Sequence, residues 1–195
     1  MKTSLKIRCV LNIWKYPVFL LGLSLHEIVL DELKADAARI LKRGCRKIDV
    51  FACLVSYRNY ASIYDYRIKK SKTFKAFSRL FFKTNRNIEL LCDSIGPGFL
   101  VLHNMGAVVR AKSIGKNCTI SQGVTIGEGG SQNEKNDSDI PTIGDNVLIA
   151  TNSVVVGRVF IGNDVIIGAG SIVTKSIDDK NVVVGNPAHV IKALE

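Results

Sequence analysis

No two of the five cysteines, Cys9, Cys45, Cys53, Cys92 and Cys118, stand at C-x-x-C spacing, and their number is odd. A disulfide framework and a thiolate zinc site are thereby excluded as organising features, no metal is expected, and a reducing, cytoplasmic setting is. Long apolar runs are also missing. The longest, Ile13–Leu25, is interrupted by Lys15 and Pro17 and falls short of the roughly 20 residues that a membrane-spanning helix needs. Lys2, Lys6 and Arg8 precede it as basic residues precede a secretory core, yet Ser24-Leu25-His26-Glu27 offers no small-x-small cleavage site. The stretch reads as a buried or membrane-surface helix. Zinc-finger, RNP and helix-turn-helix patterns are absent too, so a pI near 9.5 does not point to nucleic acid, and no nucleic-acid partner is expected.

Acidic residues are scarce in the first part of the chain. Residues 1–90 hold 19 Lys and Arg against 7 Asp and Glu, whereas residues 91–195 hold 8 against 10. The formal charge of +10 therefore belongs to the amino-terminal region. Such an asymmetry suits either a solvated helical face or an anionic partner, including the inner face of a membrane. The 195 residues, 47% of them hydrophobic, suffice for one substantial domain and a smaller one.

What the chain does have is a repeat of period six. Ile143, Ile149, Val155, Ile161, Ile167 and Val173 recur at every sixth place, and a second register, Val147, Ser153, Val159, Val165, Ser171 and Ile177, holds only small or β-branched residues. Gly144, Gly162 and Gly168 follow aliphatic positions. Neither a 3.6-residue helix nor a two-residue alternation produces this pattern, but short strands separated by corners do, three such sides closing one coil. The phase extends back through Ile126, Ile120 and Ile114 to Val101 and Ile95. It breaks twice: by a spacing of 13 between Val101 and Ile114, and at Gly127–Pro141, GEGGSQNEKNDSDIP. The second break is polar and glycine-rich and must leave the coil as a corner loop.

Upstream, Glu27–Lys47 and Ile63–Phe82 carry apolar residues at helical spacing. The expected organisation is a basic α-helical region over 1–90, a parallel β-helix over 91–184 with a corner loop at 127–141, and a tail over 185–195. An open β-helix leaves a strand edge and an apolar cross-section at each end, which gives a helical cap its physical reason.

Ser113–Gly127 (SIGKNCTISQGVTIG), Thr142–Val147, Ile166–Lys175 (IIGAGSIVTK) and Val183–Ile191 (VVGNPAHVI) resemble the hexapeptide-repeat acyltransferases over about half of the chain. The order of helical cap, HNMG segment, ISQGVTIG and loop is similar to serine acetyltransferases and the saccharide O-acetyltransferases related to them. The resemblance implies a left-handed coil, an exception to the right-handed crossover rule. It also implies a homotrimer with acetyl-CoA in the groove between neighbouring β-helices.

His103 in Val101–Gly106 (VLHNMG) falls where the family has its general base. An imidazole titrating near neutrality can take the proton of an acceptor hydroxyl as its oxygen attacks the thioester, so no acyl-enzyme is needed. In serine acetyltransferases an aspartate upstream orients that histidine. Here Asn87–Gly96 (NIELLCDSIG) puts Ile88 at the matching place, and Glu89 is the expected substitute, ahead of Asp93. The resemblance assigns Thr125 and Gly127 to the thioester end of acetyl-CoA, Ala150, Gly168, Thr174 and Lys175 to its length, and His189 to its phosphates. His26, beside Glu27, reads as structural.

Two positions depart from the serine enzymes: Ile140-Pro141 stands where a second histidine precedes the proline, and Arg110-Ala111-Lys112 where an acidic residue is usual. Both handle the amino acid acceptor. The expected function is therefore acetyl-CoA-dependent O-acetylation of a saccharide hydroxyl, of capsule or exopolysaccharide type. Serine O-acetylation is the alternative within enzymes, and a non-catalytic β-helix scaffold the alternative outside them.

Overall fold

The computed structural model describes residues 3–25, 29–68, 71–103, 105–129 and 139–195. His26 and Glu27, Asn104 of the HNMG segment and residues 130–138 of the corner loop lie outside them. The chain forms two compact units, Met1–Arg86 with Pro97–Leu100, and Asn87–Gly96 with Val101–Glu195.

The second unit is built from β1 (Ile88–Leu90), β2 (Ser94–Ile95), β3 (Leu100–Val101), β4 (Ala107–Val109), β5 (Ser113–Ile114), β6 (Thr119–Ile120), β7 (Thr125–Gly127), β8 (Thr142–Ile143), β9 (Leu148–Ile149), β10 (Val154–Val156), β11 (Phe160–Ile161), β12 (Ile166–Ile167), β13 (Ile172–Val173), β14 (Asn181–Val184) and β15 (His189–Ala193). Three sheets result, in the orders β1-β4-β7-β10-β13, β11-β8-β5-β2 and β15-β14-β12-β9-β6-β3. Successive strands in each sheet come from successive coils and pair in parallel; β15, antiparallel to β14, is the exception.

Both sixfold registers point inward as the sequence predicts: Ile143, Ile149, Val155, Ile161, Ile167 and Val173 are all buried, and so are Val147, Ser153, Val159, Val165, Ser171 and Ile177. The two serines are tolerated there because each hydroxyl donates to a carbonyl: Ser153 Oγ to Ala150 O and Gly168 O at 2.8 Å, Ser171 Oγ to Gly168 O at 2.6 Å.

The corners between the second and third sheets repeat one device. Asn117, Asn146, Asp164 and Lys180 have φ of 57° or 58°, a left-handed turn that Asn and Asp adopt at low cost. A Cβ at Gly144 would lie 2.8 Å from the Gly162 carbonyl carbon. Glycine follows the aliphatic residue there because the next coil leaves no space for a side chain.

The two breaks in the hexad phase have separate origins. Leu102 N–H bonds Ile120 O, and Val109 pairs with Ile126. Val101–Val109 therefore takes eight steps where Ile120–Ile126 takes six, with two extra residues in the corner 102–106. Arg110–Lys112 is then one residue short, which makes up the spacing of 13. At the second break Ile126 pairs with Val155 and Val155 in turn with Val173. The first of these two coils carries the corner loop and takes 29 steps against 18, an excess of 11 residues, while the strands on either side of the loop stay in register.

The carboxy-terminal residues expected as a tail contain β15, which turns back through Gly185–Ala188, with a cis Asn186-Pro187 bond, onto β14. It covers the edge that β14 would otherwise expose.

The first unit contains α1 (Thr3–Leu11), a 3-10 turn Ile13–Lys15, α2 (Tyr16–Leu25), α3 (Val29–Leu41), α4 (Lys47–Ser56), α5 (Arg58–Arg67) and α6 (Lys72–Ser78). The helical stretch expected over Glu27–Lys47 ends at Leu41, where Lys42 turns left-handed at φ 54°. The stretch expected over Ile63–Phe82 is two helices, the first beginning at Arg58. Phe19, Leu33, Phe51, Tyr60 and Tyr64 form the core, with Tyr16 edge-on to Phe51 at 5.1 Å. The Ile13–Leu25 run is two-faced: Phe19 and Leu23 are buried, Ile13, Trp14, Leu20 and Leu21 exposed. No helix among the described residues is long and apolar enough to cross a membrane.

One charged cluster sits inside this unit. Arg67 donates to both Asp36 oxygens at 3.1 Å and lies 3.1 Å from Glu32, while the Phe99 N–H donates to Asp36 at 2.8 Å. Burial pushes the Asp36 carboxyl up to about 6, against the pull of Arg67 and the backbone donors. Arg67→Met, which leaves the buried carboxylate without its cation, should destabilise the protein by about 3–5 kcal/mol in urea unfolding at neutral pH. A raised carboxyl favours the fold below its pKa and loses that advantage as pH rises through it. The deficit of the variant should accordingly be greatest above pH 6 and shrink as the pH falls toward 4.

Candidate active site

His103 sits in the enlarged corner between β3 and β4, exposed and left-handed at φ 61°. In the three following coils the left-handed place in this corner belongs to Gly123, Asn152 and Gly170, with φ of 70°, 58° and 69°; by register Gly106, at φ 95°, holds that place in the first coil, so His103 is a further left-handed residue in the enlarged corner. A left-handed histidine is uncommon and carries a backbone cost that Gly would not. Two extra residues and an imidazole thus mark the one coil whose corner departs from its successors.

After this corner the chain enters the first sheet, whose outward face is a file set by register: Glu89 beside Val108, Val108 beside Thr125, Thr125 beside Val154, and Val154 beside Ile172. The expected site residues gather around this face. Glu89 and Thr125 are in the file; His103, Ala150 and Gly168 lie at the corner entering the sheet; Gly127, Thr174 and Lys175 lie at the edge leaving it. Coils spaced about 4.8 Å apart make this an axial track, with Thr125 one coil from Ala150 and two from Gly168. At Gly127 a Cβ would meet nothing within 4 Å, so the track is open there. His189 stands on β15, exposed, against the turn that a Cβ on Gly185 would share with its ring at 3.2 Å. Among the described residues no cluster of His, Cys, Asp and Glu is placed to hold a metal ion.

The edge leaving the first sheet also holds Glu128 and Asp139, which the sequence did not single out. Arg110 pairs with Glu128 at 2.7 Å, one full coil further along the chain, so an acid does stand at this corner although Arg110-Ala111-Lys112 lacks one. Asp139 closes the stem of the corner loop: its carboxylate accepts from Arg158 N–H at 3.1 Å, and its carbonyl from Gly129 N–H at 3.3 Å. A Cβ on Gly129 would lie 3.0 Å from Gly157 Cα, so the stem is packed tightly on the next coil. Beside it a pocket of about 300 Å³ is lined by Lys112, Ile140, Thr142, Arg158, Phe160 and Ser176. The signal for Glu128 was the coil period itself, applied across the corner rather than along the inward ladder.

Residues 140–175 match the bacterial transferase hexapeptide family, six repeats. The serine acetyltransferase of Bacillus subtilis (strain 168) is 33% identical over 167 residues, covering 82% of this chain and 76% of that protein. That of Staphylococcus aureus (strain Mu50) is 43% identical over 99 residues, and the match spans 50% of this chain but only 45% of the relative's length. Soybean serine acetyltransferase apoenzyme superposes with a TM-score of 0.71 at 25% identity, covering 90% of this chain and 74% of that one. Neisseria gonorrhoeae serine acetyltransferase in complex with serine gives 0.68 at 25%, covering 89% and 73%. The architecture is the left-handed parallel β-helix with an amino-terminal helical region.

These likenesses overturn the expected saccharide acceptor. That expectation rested on two local replacements, Ile140 and the Arg110–Lys112 segment, whereas the match to serine acetyltransferases extends over most of the chain. The Glu128 carboxylate at the second corner further weakens one of them. From the hexad ladder, the His103 corner and the extent of the match together, the chain belongs to the serine acetyltransferase family of hexapeptide-repeat transferases.

Proposed function

We propose that the protein transfers the acetyl group of acetyl-CoA to the hydroxyl of L-serine, with His103 as general base. The observation that carries this reading is the exposed imidazole at the enlarged corner, beside an open axial track, in a chain similar over 82% of its length to a serine acetyltransferase. Solved serine acetyltransferases of this fold are in complex with CoA, with serine and with cysteine.

The chemistry follows from the groups available. The imidazole accepts the proton of the serine hydroxyl as its oxygen attacks the thioester carbonyl. The tetrahedral intermediate then expels the CoA sulfur, which takes the proton back from the imidazolium, so O–C forms and C–S breaks with no net change at His103. Thr125 and Gly127 line the thioester in this reading, Ala150, Gly168, Thr174 and Lys175 follow the pantetheine arm along the track, and His189 faces the phosphates. Backbone groups at the corners suit its amides. Glu89 acts as a positioning residue, holding the imidazole in the tautomer that can accept a proton. A homotrimer, in which each track faces a neighbouring coil, belongs to the same reading.

Release of CoA from acetyl-CoA in the presence of L-serine tests the proposal, and absence of serine-dependent turnover would sink it. His103→Ala should lower kcat about 10²- to 10⁴-fold with the KM for acetyl-CoA little changed. Thr125→Trp, at an exposed position that leaves the core untouched, should raise the KM for acetyl-CoA about tenfold or more, equivalent to about 1.4 kcal/mol. Glu89→Gln should lower kcat and displace its pH profile without moving either KM.

A further inference from the structure

The first unit carries a surface that acetyl transfer does not use. Val10 and Leu11 of α1, Ile13 and Trp14 of the 3-10 turn, and Phe77 and Leu80 at the end of α6 are all exposed, Trp14 at 63% and Leu80 at 78%. Trp14 and Phe77 are linked through Phe81, whose ring lies 6.1 Å from Trp14 and 5.1 Å from Phe77. Scattered exposed apolar residues need no explanation, but a connected group rimmed by charge marks an interaction site.

The rim is cationic for a structural reason. Each described acidic side chain of this unit is engaged by a base of the same unit: Asp31 by Lys34, Glu32 and Asp36 by Arg67, Asp49 by Arg43 and Arg46, Asp65 by Lys75 and Arg79. Lys6, Arg8, Lys15 and Lys83 lie outside these pairs. Lys15 stands 5.1 Å above the Trp14 ring, and its pKa is lowered, by burial first and by the nearby Lys83 second. Two like charges are thus gathered beside the exposed aromatic, and the described acids of the unit are committed elsewhere.

We propose that this face docks on an anionic lipid surface, with Trp14, Leu11 and Leu80 in the headgroup boundary and Lys6, Lys15 and Lys83 on lipid phosphates. Tryptophan is favoured at that boundary, and basic residues flanking an apolar face supply the electrostatic part of binding. Charge decides between this occupant and a second copy of the chain. Self-association through the same face would bring the Lys15 and Lys83 pair of each copy together, whereas an anionic bilayer answers them. The inference is independent of the acetyl-transfer reading.

Trp14 is the only tryptophan, so its emission reports on this face directly in the full-length protein. With vesicles of mixed phosphatidylglycerol and phosphatidylcholine the emission should shift to the blue and the protein should co-sediment; with phosphatidylcholine alone neither should occur. The doubly substituted Lys15→Glu, Lys83→Glu protein should bind the mixed vesicles at least about tenfold more weakly, and raised salt should weaken the unsubstituted protein as well. Circular dichroism and the melting temperature of that variant check that its fold is kept, and Trp14→Ser should bind more weakly by co-sedimentation with the fold likewise kept. Absence of a shift with anionic vesicles overturns the proposal. So does a blue shift that grows with protein concentration in the absence of lipid, which would assign the face to a second copy.

Discussion

The cross-section of the coil admits one aliphatic side chain and one small or β-branched one per side, and the rest of the second unit follows from that limit. Ile149, Val155 and Ile161 are buried completely or nearly so, each stacked on the residue one coil above and below, so that a full turn of the coil sets side chain on side chain. Polar atoms enter this interior only when a carbonyl within reach accepts them, as Gly168 O does for both Ser153 and Ser171. Glycine at Gly144 is fixed in the same way, by the backbone of the coil that lies on it.

A coil so constrained can change only at its corners, which is why His103, the general base of the proposed reaction, sits where the repeat fails. Two residues inserted before Gly106 free a corner to present His103, and the insertion after Gly127 builds a stem that Asp139 ties to Gly129 and Arg158. The first sheet lies between these two departures. Its inward residues stay in phase while its outward file, Val108, Thr125 and Val154, is free to serve as a surface. Rigidity of the interior and variability of the corners are one property: a side chain held on a stacked coil cannot drift, and a residue at a corner can be exchanged without disturbing the stack.

The inward ladder was legible because burial imposes it on every coil, residue by residue, with no need of long-range information. The coil positions of Thr125, Ala150, Gly168 and Thr174 follow from the same phase, whereas their assignment to acetyl-CoA came from the family resemblance and not from the repeat. The helix ends in the first unit were less legible: the break at Lys42 depends on a left-handed turn that apolar spacing does not encode. The buried Arg67–Asp36 pair was not legible at all, because 31 residues separate two groups that only tertiary packing brings together. Strand β15 was missed because five exposed residues carry no pattern of burial, its pairing with β14 being made through the backbone.

The acceptor was misread for a more specific reason. As a linear segment, the corner after His103 reads Arg110-Ala111-Lys112, with bases where an acid is usual. In a coil the neighbours of a corner residue are not those beside it in sequence but those one turn away, and the turn from Arg110 arrives at Glu128. A carboxylate stands on the next rung, where a guanidinium at 2.7 Å holds it. A charge of the expected sign can thus be kept at a corner while every residue in its local segment changes. In a solenoid, therefore, the loss of a site residue is established by reading the column of stacked corners, and a single rung, taken alone, is too short a passage to assign the acceptor.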